Sequence, residues 1–218
     1  MLPVEQWIDR AHELGLVGEP TEKALEHSRA FSALVRRYGA ERWVDLGSGG
    51  GIPGLIVALE LPASEGLLVD ARQRRAAFLT EAVRALNWSA RVRIAAERGE
   101  VLARSKEIRE RADAVVARGF GAPPVTAEIG SGFVRVGGVI VVSDPPEGAG
   151  RRWSASEQLA RLGLVVAEVV VGPPHFTVLR KVAPLAGQYP RRSGIPERRP
   201  LWSEERSSTT LRVGRDDV

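Results

Sequence analysis

The stretch best suited to hold a ligand is Val44-Asp45-Leu46-Gly47-Ser48-Gly49-Gly50-Gly51-Ile52-Pro53-Gly54. Its glycines let the backbone turn sharply and lie against a bound molecule. Pro53 suits the first turn of a following helix. Free N–H groups at that helix start would attract a polar or anionic ligand end. The order Asp45-x-Gly47-x-Gly49-x-Gly51 has the D-x-G-x-G-x-G form used for S-adenosyl-L-methionine, and Ser48 lies inside it. That ligand carries a carboxylate and an ammonium rather than a pyrophosphate, and Asp45 can face the ammonium. A G-x-G-x-x-G dinucleotide reading begins only at Gly49, late in the loop; a start at Gly47 puts Ile52 where the third glycine belongs.

A second acid follows. Asp70 comes after Leu67-Leu68-Val69, where a carboxylate can accept both hydroxyls of a ribose. It could also cap a helix opening near Arg72. Ala96-Glu97-Arg98-Gly99-Glu100 follows a third apolar run, at a strand end where backbone and carboxylate groups meet an adenine; Glu100 could equally start a helix. Val116-Ala117-Arg118-Gly119-Phe120 brings one charge to the end of a fourth run. Arg118 reads either as a surface ion pair or as a clamp on substrate or cofactor. Asp144-Pro145-Pro146 mimics the D-P-P-Y motif of enzymes that methylate exocyclic amines, but it ends in Glu147 and follows the fifth run rather than the fourth. It reads as a stiff loop opening.

These groups need a scaffold. Val4, Trp7, Ile8, Ala11 and Leu14 fall on one helical face, with Gly15 as a stop. Thr21 can cap a second helix reaching about Tyr38, with Gly39 at its end. Seven short apolar runs follow: Arg42–Leu46, Leu67–Asp70, Val92–Ala96, Asp113–Ala117, Val139–Val142, Leu164–Val171 and Phe176–Val182. Helical stretches Ile52–Leu59, Arg72–Leu86 and Pro124–Val134 lie between early runs, which implies βαβ units and a parallel sheet covered on both faces. Only Gly172-Pro173-Pro174-His175 joins the last two, too short a link for a parallel crossover, so they pair antiparallel. The predicted fold is α/β, a Rossmann-like class I methyltransferase sheet of seven mostly parallel strands with a C-terminal antiparallel hairpin and N-terminal helices. The predicted units are an N-terminal helical segment (1–40), the methyltransferase domain (41–183), a basic extension (184–202) and a disordered tail (203–218).

The chain has 218 residues and no cysteine, which excludes disulfides, iron–sulfur clusters, thiolate zinc sites and a cysteine nucleophile. His12, His27 and His175 have no metal-ligand spacing, so no metal is expected. No apolar run approaches membrane-spanning length, and acids through the first twenty residues argue against a secretory signal, so a cytoplasmic, membrane-free protein is expected. Net charge is +4, and its distribution is uneven. From Arg180 to Arg199 six basic residues face one acid, leaving the rest of the chain near neutral. Such a segment is either a polyanion contact or a solvated tail. Its phosphate-contact candidates are Arg191, Arg192, Arg198 and Arg199.

In order along the chain, VDLGSGGGIPG, LLVDARQRRAAFL, ADAVVARGF, RVGGVIVV and YPRRSGIPERRPL resemble the RsmG (GidB) family, from about Arg42 to Leu201. The tail pattern Tyr189-Pro190-Arg191-x-x-Gly194-x-Pro196-x-x-x-Pro200-Leu201 is the most specific of these. The resemblance implies transfer of a methyl group from S-adenosyl-L-methionine to N7 of a guanine in small-subunit (16S) ribosomal RNA. It implies Arg118 in the active site and a basic tail on RNA, with ribosomal RNA or the small subunit as partner and a monomer as the working form. The family's Asn-Leu-Thr segment is absent; Ala30 and Phe31 stand where it has Asp and Ser, and Ser143-Asp144 where it has Lys-Gly. Cofactor contacts are expected from Asp45, Gly47, Ser48, Gly49, Gly51, Pro53, Asp70, Arg98, Gly99 and Glu100. Other readings are the same cofactor with another acceptor, RNA or small molecule, and an RNA-binding relative without turnover.

Overall fold

The computed structural model describes residues 3–147 and 150–203. In chain order the elements are α1 (Val4–Glu13), α2 (Thr21–Arg37), β1 (Arg42–Leu46), α3 (Gly54–Glu60), β2 (Glu65–Val69), α4 (Gln73–Ala85), β3 (Val92–Ala95), α5 (Gly99–Leu102), β4 (Ala112–Ala117), α6 (Pro123–Phe133), β5 (Val134–Asp144), α7 (Ser156–Arg161), β6 (Leu164–Val170), β7 (His175–Lys181) and α8 (Ile195–Arg198), with a 3-10 turn at Arg151–Trp153.

The seven strands form one sheet in the order β3-β2-β1-β4-β5-β7-β6. The first five are parallel, as the helical crossovers require. β7 runs antiparallel to both β5 and β6, the hairpin expected from the short link. The order reverses at β1, between β2 and β4. Open α/β sheets bind ligands at such a crevice, beyond the carboxyl ends of the strands. The glycine loop and Arg118 both leave the sheet at that edge.

Period-two alternation along the strands builds a core on each face. Trp43, Ala114, Val116, Val139, Val141, Phe176 and Val178 pack under α1 to α4. Val44, Leu46, Val115, Ala117, Ile140, Val142 and Leu179 pack under α6, α7 and the C-terminal segment. Strands buried on both faces read as continuous apolar runs, which is why β4 and β5 were visible in sequence.

Several expectations change. Thr21 does not cap α2; Pro20 precedes the helix, and no side-chain cap bond forms. β5 begins at Val134 rather than Val139, because α6 runs straight into it. Its register against β4 jumps from Ala112↔Val134 to Ala114↔Val139, so the Arg135-Val136-Gly137 turn bulges into solvent. The 184–202 segment, expected as a separate extension, joins the second core through Leu185, Tyr189, Leu201 and Trp202. Nearly all of the tail expected to be disordered lies outside the described residues. No helix among the described residues is long and apolar enough to cross a membrane.

Candidate active site

The loop after β1 is tied to the end of β2 by a small set of bonds. Gly47 and Ser48 donate their N–H groups to Val69 O at 2.9 and 3.0 Å. Ser48 Oγ donates to Asp45 O at 3.0 Å and accepts from Val69 N–H at 3.1 Å. Its hydroxyl is a structural tie within the loop. Gly49 N–H donates to Asp70 Oδ2 at 2.9 Å, while Asp70 Oδ1 accepts Arg72 N–H at 2.9 Å. Asp70 thus fixes the loop and also makes the local turn anticipated before α4. Oδ2 also pairs with Arg75 Nη1 at 3.5 Å, while Oδ1 keeps a second lone pair for a ribose hydroxyl.

Gly47 needs its lack of a side chain: its φ is +79°, and a Cβ would stand 2.7 Å from Phe120 Cδ2. Gly51 serves packing, since a Cβ there would meet Leu55 Cδ1 at 2.5 Å. Pro53 precedes α3 as its cap residue rather than sitting inside it. The free N–H groups expected at this helix start are satisfied internally. Gly54 N–H bonds Asp45 Oδ2 at 3.0 Å, Leu55 N–H bonds Gly51 O at 2.7 Å, and Ile56 and Val57 bond Pro53 O. The helix start is therefore closed to an anion.

Asp45 is fully buried below the loop, and its Oδ1 has no partner. Burial pushes its carboxyl up to about 7, against the Ser48 and Gly54 bonds that favour the anion. An unpartnered, buried carboxylate oxygen beside a glycine turn is what a ligand ammonium would complete. On that observation the loop fits the amino-acid end of S-adenosyl-L-methionine.

In front of the loop lies a cavity of ≈ 1750 Å³, walled by Gly47, Ser48, Gly49, Gly50, Arg118 and Phe120, by Glu19 from the α1–α2 link and His27 from α2, and by Trp153 and Trp202. Pockets for one small ligand run to about 300–1,000 Å³, so this one has room for a second. Arg118, 17% exposed, is ion-paired to Glu19. His27 stacks on Phe31 with ring centroids 5.6 Å apart. Burial, with Arg118 nearby, lowers its imidazole to about 4, so the ring is neutral at physiological pH. Sequence reasoning missed Glu19, Trp153 and Trp202 as parts of one cavity, because each arrives from a distant segment. The glycine in Gly18-Glu19-Pro20 was the one local hint of a special loop.

Of the expected site residues, the structure brings Gly47, Ser48, Gly49 and Arg118 to the cavity wall, with Asp45 and Asp70 buried behind the loop. The adenine-side expectation changes. Glu100 is 2% exposed, and its Oε1 accepts from Arg98 Nε at 2.7 Å and Gly194 N–H at 2.9 Å. Burial raises this carboxyl, but the two donors outweigh it and hold it below the ordinary range. Arg98 and Glu100 therefore anchor the C-terminal segment, while Gly99 leaves room that a Cβ would not, since a Cβ there would stand 2.8 Å from Leu46 Cδ1 and 2.9 Å from Ile129 Cγ2. Arg191 also departs from expectation. Its guanidinium forks onto Glu128, with Nε at 2.9 and Nη2 at 2.6 Å from carboxylate oxygens, and the Glu128 side chain is fully buried. A buried carboxylate makes that pairing obligatory, so Arg191 has an internal partner while Arg192, Arg198 and Arg199 stay exposed. Asp144 takes bonds from Trp153 Nε1 at 3.1 Å and Thr177 Oγ1 at 2.5 Å, which fits the reading of a stiff loop opening. No group of acids and histidines among the described residues could hold a metal.

The family model described as "rRNA small subunit methyltransferase G" matches residues 15–144, from the wall before α2 through the glycine loop to the end of β5. The chain belongs to the GidB family. A GidB relative named ribosomal RNA small subunit methyltransferase G, from Rubrobacter xylanophilus, is 34% identical over 208 residues, covering 88% of this chain and 78% of its own. One of the same name from Moorella thermoacetica is 33% identical over 169 residues, covering 74% and 70%. Among solved structures, a putative O-methyltransferase from Klebsiella pneumoniae aligns with a TM-score of 0.61 at 19% identity, covering 84% of this chain and 91% of that one. An O-methyltransferase from Bacillus cereus, in complex with SAH, aligns at 0.56 with 15% identity, covering 80% and 88%. These likenesses fit the Rossmann-like methyltransferase fold.

Proposed function

We propose that this GidB-family protein transfers a methyl group from S-adenosyl-L-methionine to N7 of a guanine in small-subunit (16S) ribosomal RNA. The observation that carries the reading is the buried, unpartnered Asp45 Oδ1 under a glycine loop that opens on a two-ligand cavity, in a chain whose relatives carry that enzyme's name. When bound, the cofactor supplies an already activated methyl group on a sulfonium.

Asp45 receives the ammonium, the Gly47–Gly49 backbone lies against the methionine end, and Asp70 accepts the ribose hydroxyls. Arg118 orients the acceptor at the cavity wall. Guanine N7 has a free lone pair, so no proton need be removed before it reacts. That fits a site where the histidine on the wall is half-buried and neutral, and no cysteine is available. The protein's task is alignment and exclusion of water. Arg192, Arg198 and Arg199 supply phosphate contacts outside the cavity.

The test offers labelled cofactor with naked small-subunit ribosomal RNA and with intact small subunits. Label on RNA that an N7-specific cleavage releases is the expected result. Cofactor binding with no label on either RNA would overturn the reading and favour another acceptor. Ser143-Asp144 at the cavity wall, where the family has Lys-Gly, is the observation that favours that second reading.

A further inference from the structure

We propose that Glu19, together with Arg118, reads the Watson–Crick edge of the acceptor base, so that Glu19 selects guanine over other purines. This rests on the N7 reaction proposed above and follows from its chemistry. Arginine commonly recognises guanine by a fork onto O6 and N7. That contact is unavailable here, because it would cover the lone pair that must react. Recognition has to move to the opposite edge, where guanine presents O6 as acceptor and N1–H and N2–H as donors. The complement is one donor beside two acceptors.

Arg118 and Glu19 are that complement, already joined to each other at the cavity wall. The recorded bond uses one of the five guanidinium N–H groups, and a carboxylate offers about four lone-pair sites. Two other carboxylates line the cavity among the described residues. Asp144 is taken by Trp153, Thr177 and Arg152, and Glu147 is exposed.

Glu19 is also held in register with the glycine loop. It lies in the link between α1 and α2, whose Leu16 and Val17 N–H groups bond Ala11 O at 2.8 and 3.3 Å. Val17 is buried, and its Cγ2 packs so closely on Gly50 that a Cβ there would stand 2.6 Å away. The segment carrying Glu19 therefore rests directly on the loop that would hold the cofactor.

In the reaction, N7 donates its lone pair to the methyl carbon, and the carbon–sulfur bond breaks with its pair going to sulfur. No proton is lost, and positive charge appears on the purine ring. A carboxylate bonded to N1–H and N2–H becomes a better partner as that charge develops, so Glu19 favours the transition state over the ground state. Adenine would set its N1 lone pair against the same carboxylate and offers no 2-amino group.

The experiment uses the full-length protein and small-subunit ribosomal RNA carrying either guanine or hypoxanthine at the methylated position, once that position is mapped. Hypoxanthine keeps N7, O6 and N1–H but lacks the 2-amino group. A hydrogen bond to a charged acceptor is worth roughly 10- to 150-fold, so wild type should prefer guanine by that factor in kcat/KM. Glu19→Ala should lower the guanine rate and bring the ratio near one. Glu19→Gln sets an amide N–H where a donor must be met, and it should also lose the preference. A structural role for Glu19 would slow both RNAs equally and leave the ratio intact, and that result would overturn the proposal. So would a wild type indifferent to the 2-amino group. If the wild type places no methyl on N7 of any ribosomal guanine, the underlying reaction is wrong and this inference falls with it. If it methylates guanine but Glu19 does not set the ratio, only this inference falls.

Discussion

At the residue scale, Asp45 carries the sharpest consequence. Its carboxyl titrates near 7 in the folded chain and near the ordinary aspartate value of about 4 when unfolded. A raised folded pKa means that the unfolded chain ionises first. Stability is therefore unaffected by this group below about pH 4, falls as pH rises towards 7, and stays lower above that. The expected result is that Asp45→Asn gains on wild type between pH 4 and 7, with the difference in melting temperature level at higher pH; parallel thermal melts check it. A ligand ammonium against Oδ1 would favour the anion. Cofactor binding near pH 6.5 should then release a proton and tighten as pH rises to 8, which calorimetry in buffers of different ionisation enthalpy measures. Gly47 makes a second case. Gly47→Ala forces a side chain into a φ of +79° and into Phe120. Left-handed backbone costs an L-residue about 1–2 kcal/mol, and the collision adds to it. A drop of at least tenfold in cofactor affinity is expected by titration.

At the element scale, the fork between Arg191 on the C-terminal segment and Glu128 on α6 makes an asymmetric prediction. The Glu128 side chain is fully buried, while that of Arg191 is 24% exposed. Removing the arginine strands a carboxylate in the core, at a cost of about 3–5 kcal/mol. Removing the glutamate frees an arginine that can still reach water. Arg191→Ala should thus lower the melting temperature by roughly 10 °C for a chain of this size, Glu128→Ala should cost less, and the double variant should recover part of the loss. Such pairings also mark where sequence reading stopped. Strands with an unbroken apolar run, such as β4 and β5, were legible, as were the hairpin and the loop glycines, because local pattern sets them. The roles of Glu100, Arg191 and Glu19 were not. Each depends on a partner tens of residues away, and a charged residue reads the same whether it meets water or a buried carboxylate.

At the scale of the whole molecule, the question is whether the basic C-terminal segment is an appended arm or part of the body. Charge pattern alone suggests an arm. The structure stitches it down: Arg109 bonds Tyr189 O at 2.7 Å and Leu185 O at 3.0 Å, Arg104 bonds Pro190 O at 2.6 Å, Gly194 N–H bonds Glu100, and Pro190 covers Gly132 on α6. Beyond α8, Trp202 returns to the cavity wall. A chain ending at Ala183 would leave Glu128 buried without Arg191, leave Glu100 with Arg98 but without Gly194, and expose the core under Leu185 and Tyr189. It should melt far below the full-length chain and lose cofactor binding as well as RNA. The full-length triple variant Arg192→Glu, Arg198→Glu, Arg199→Glu tests the other half. These side chains face solvent, so melting should hold while RNA affinity falls. Each lost phosphate contact removes about 0.7–0.9 from the slope of log affinity against log salt, so a slope shallower by about 2–3 is expected. A truncated chain that melts like the full-length protein and still binds cofactor would instead make the segment a dispensable arm, and the seam along α5 and α6 would have no part in stability.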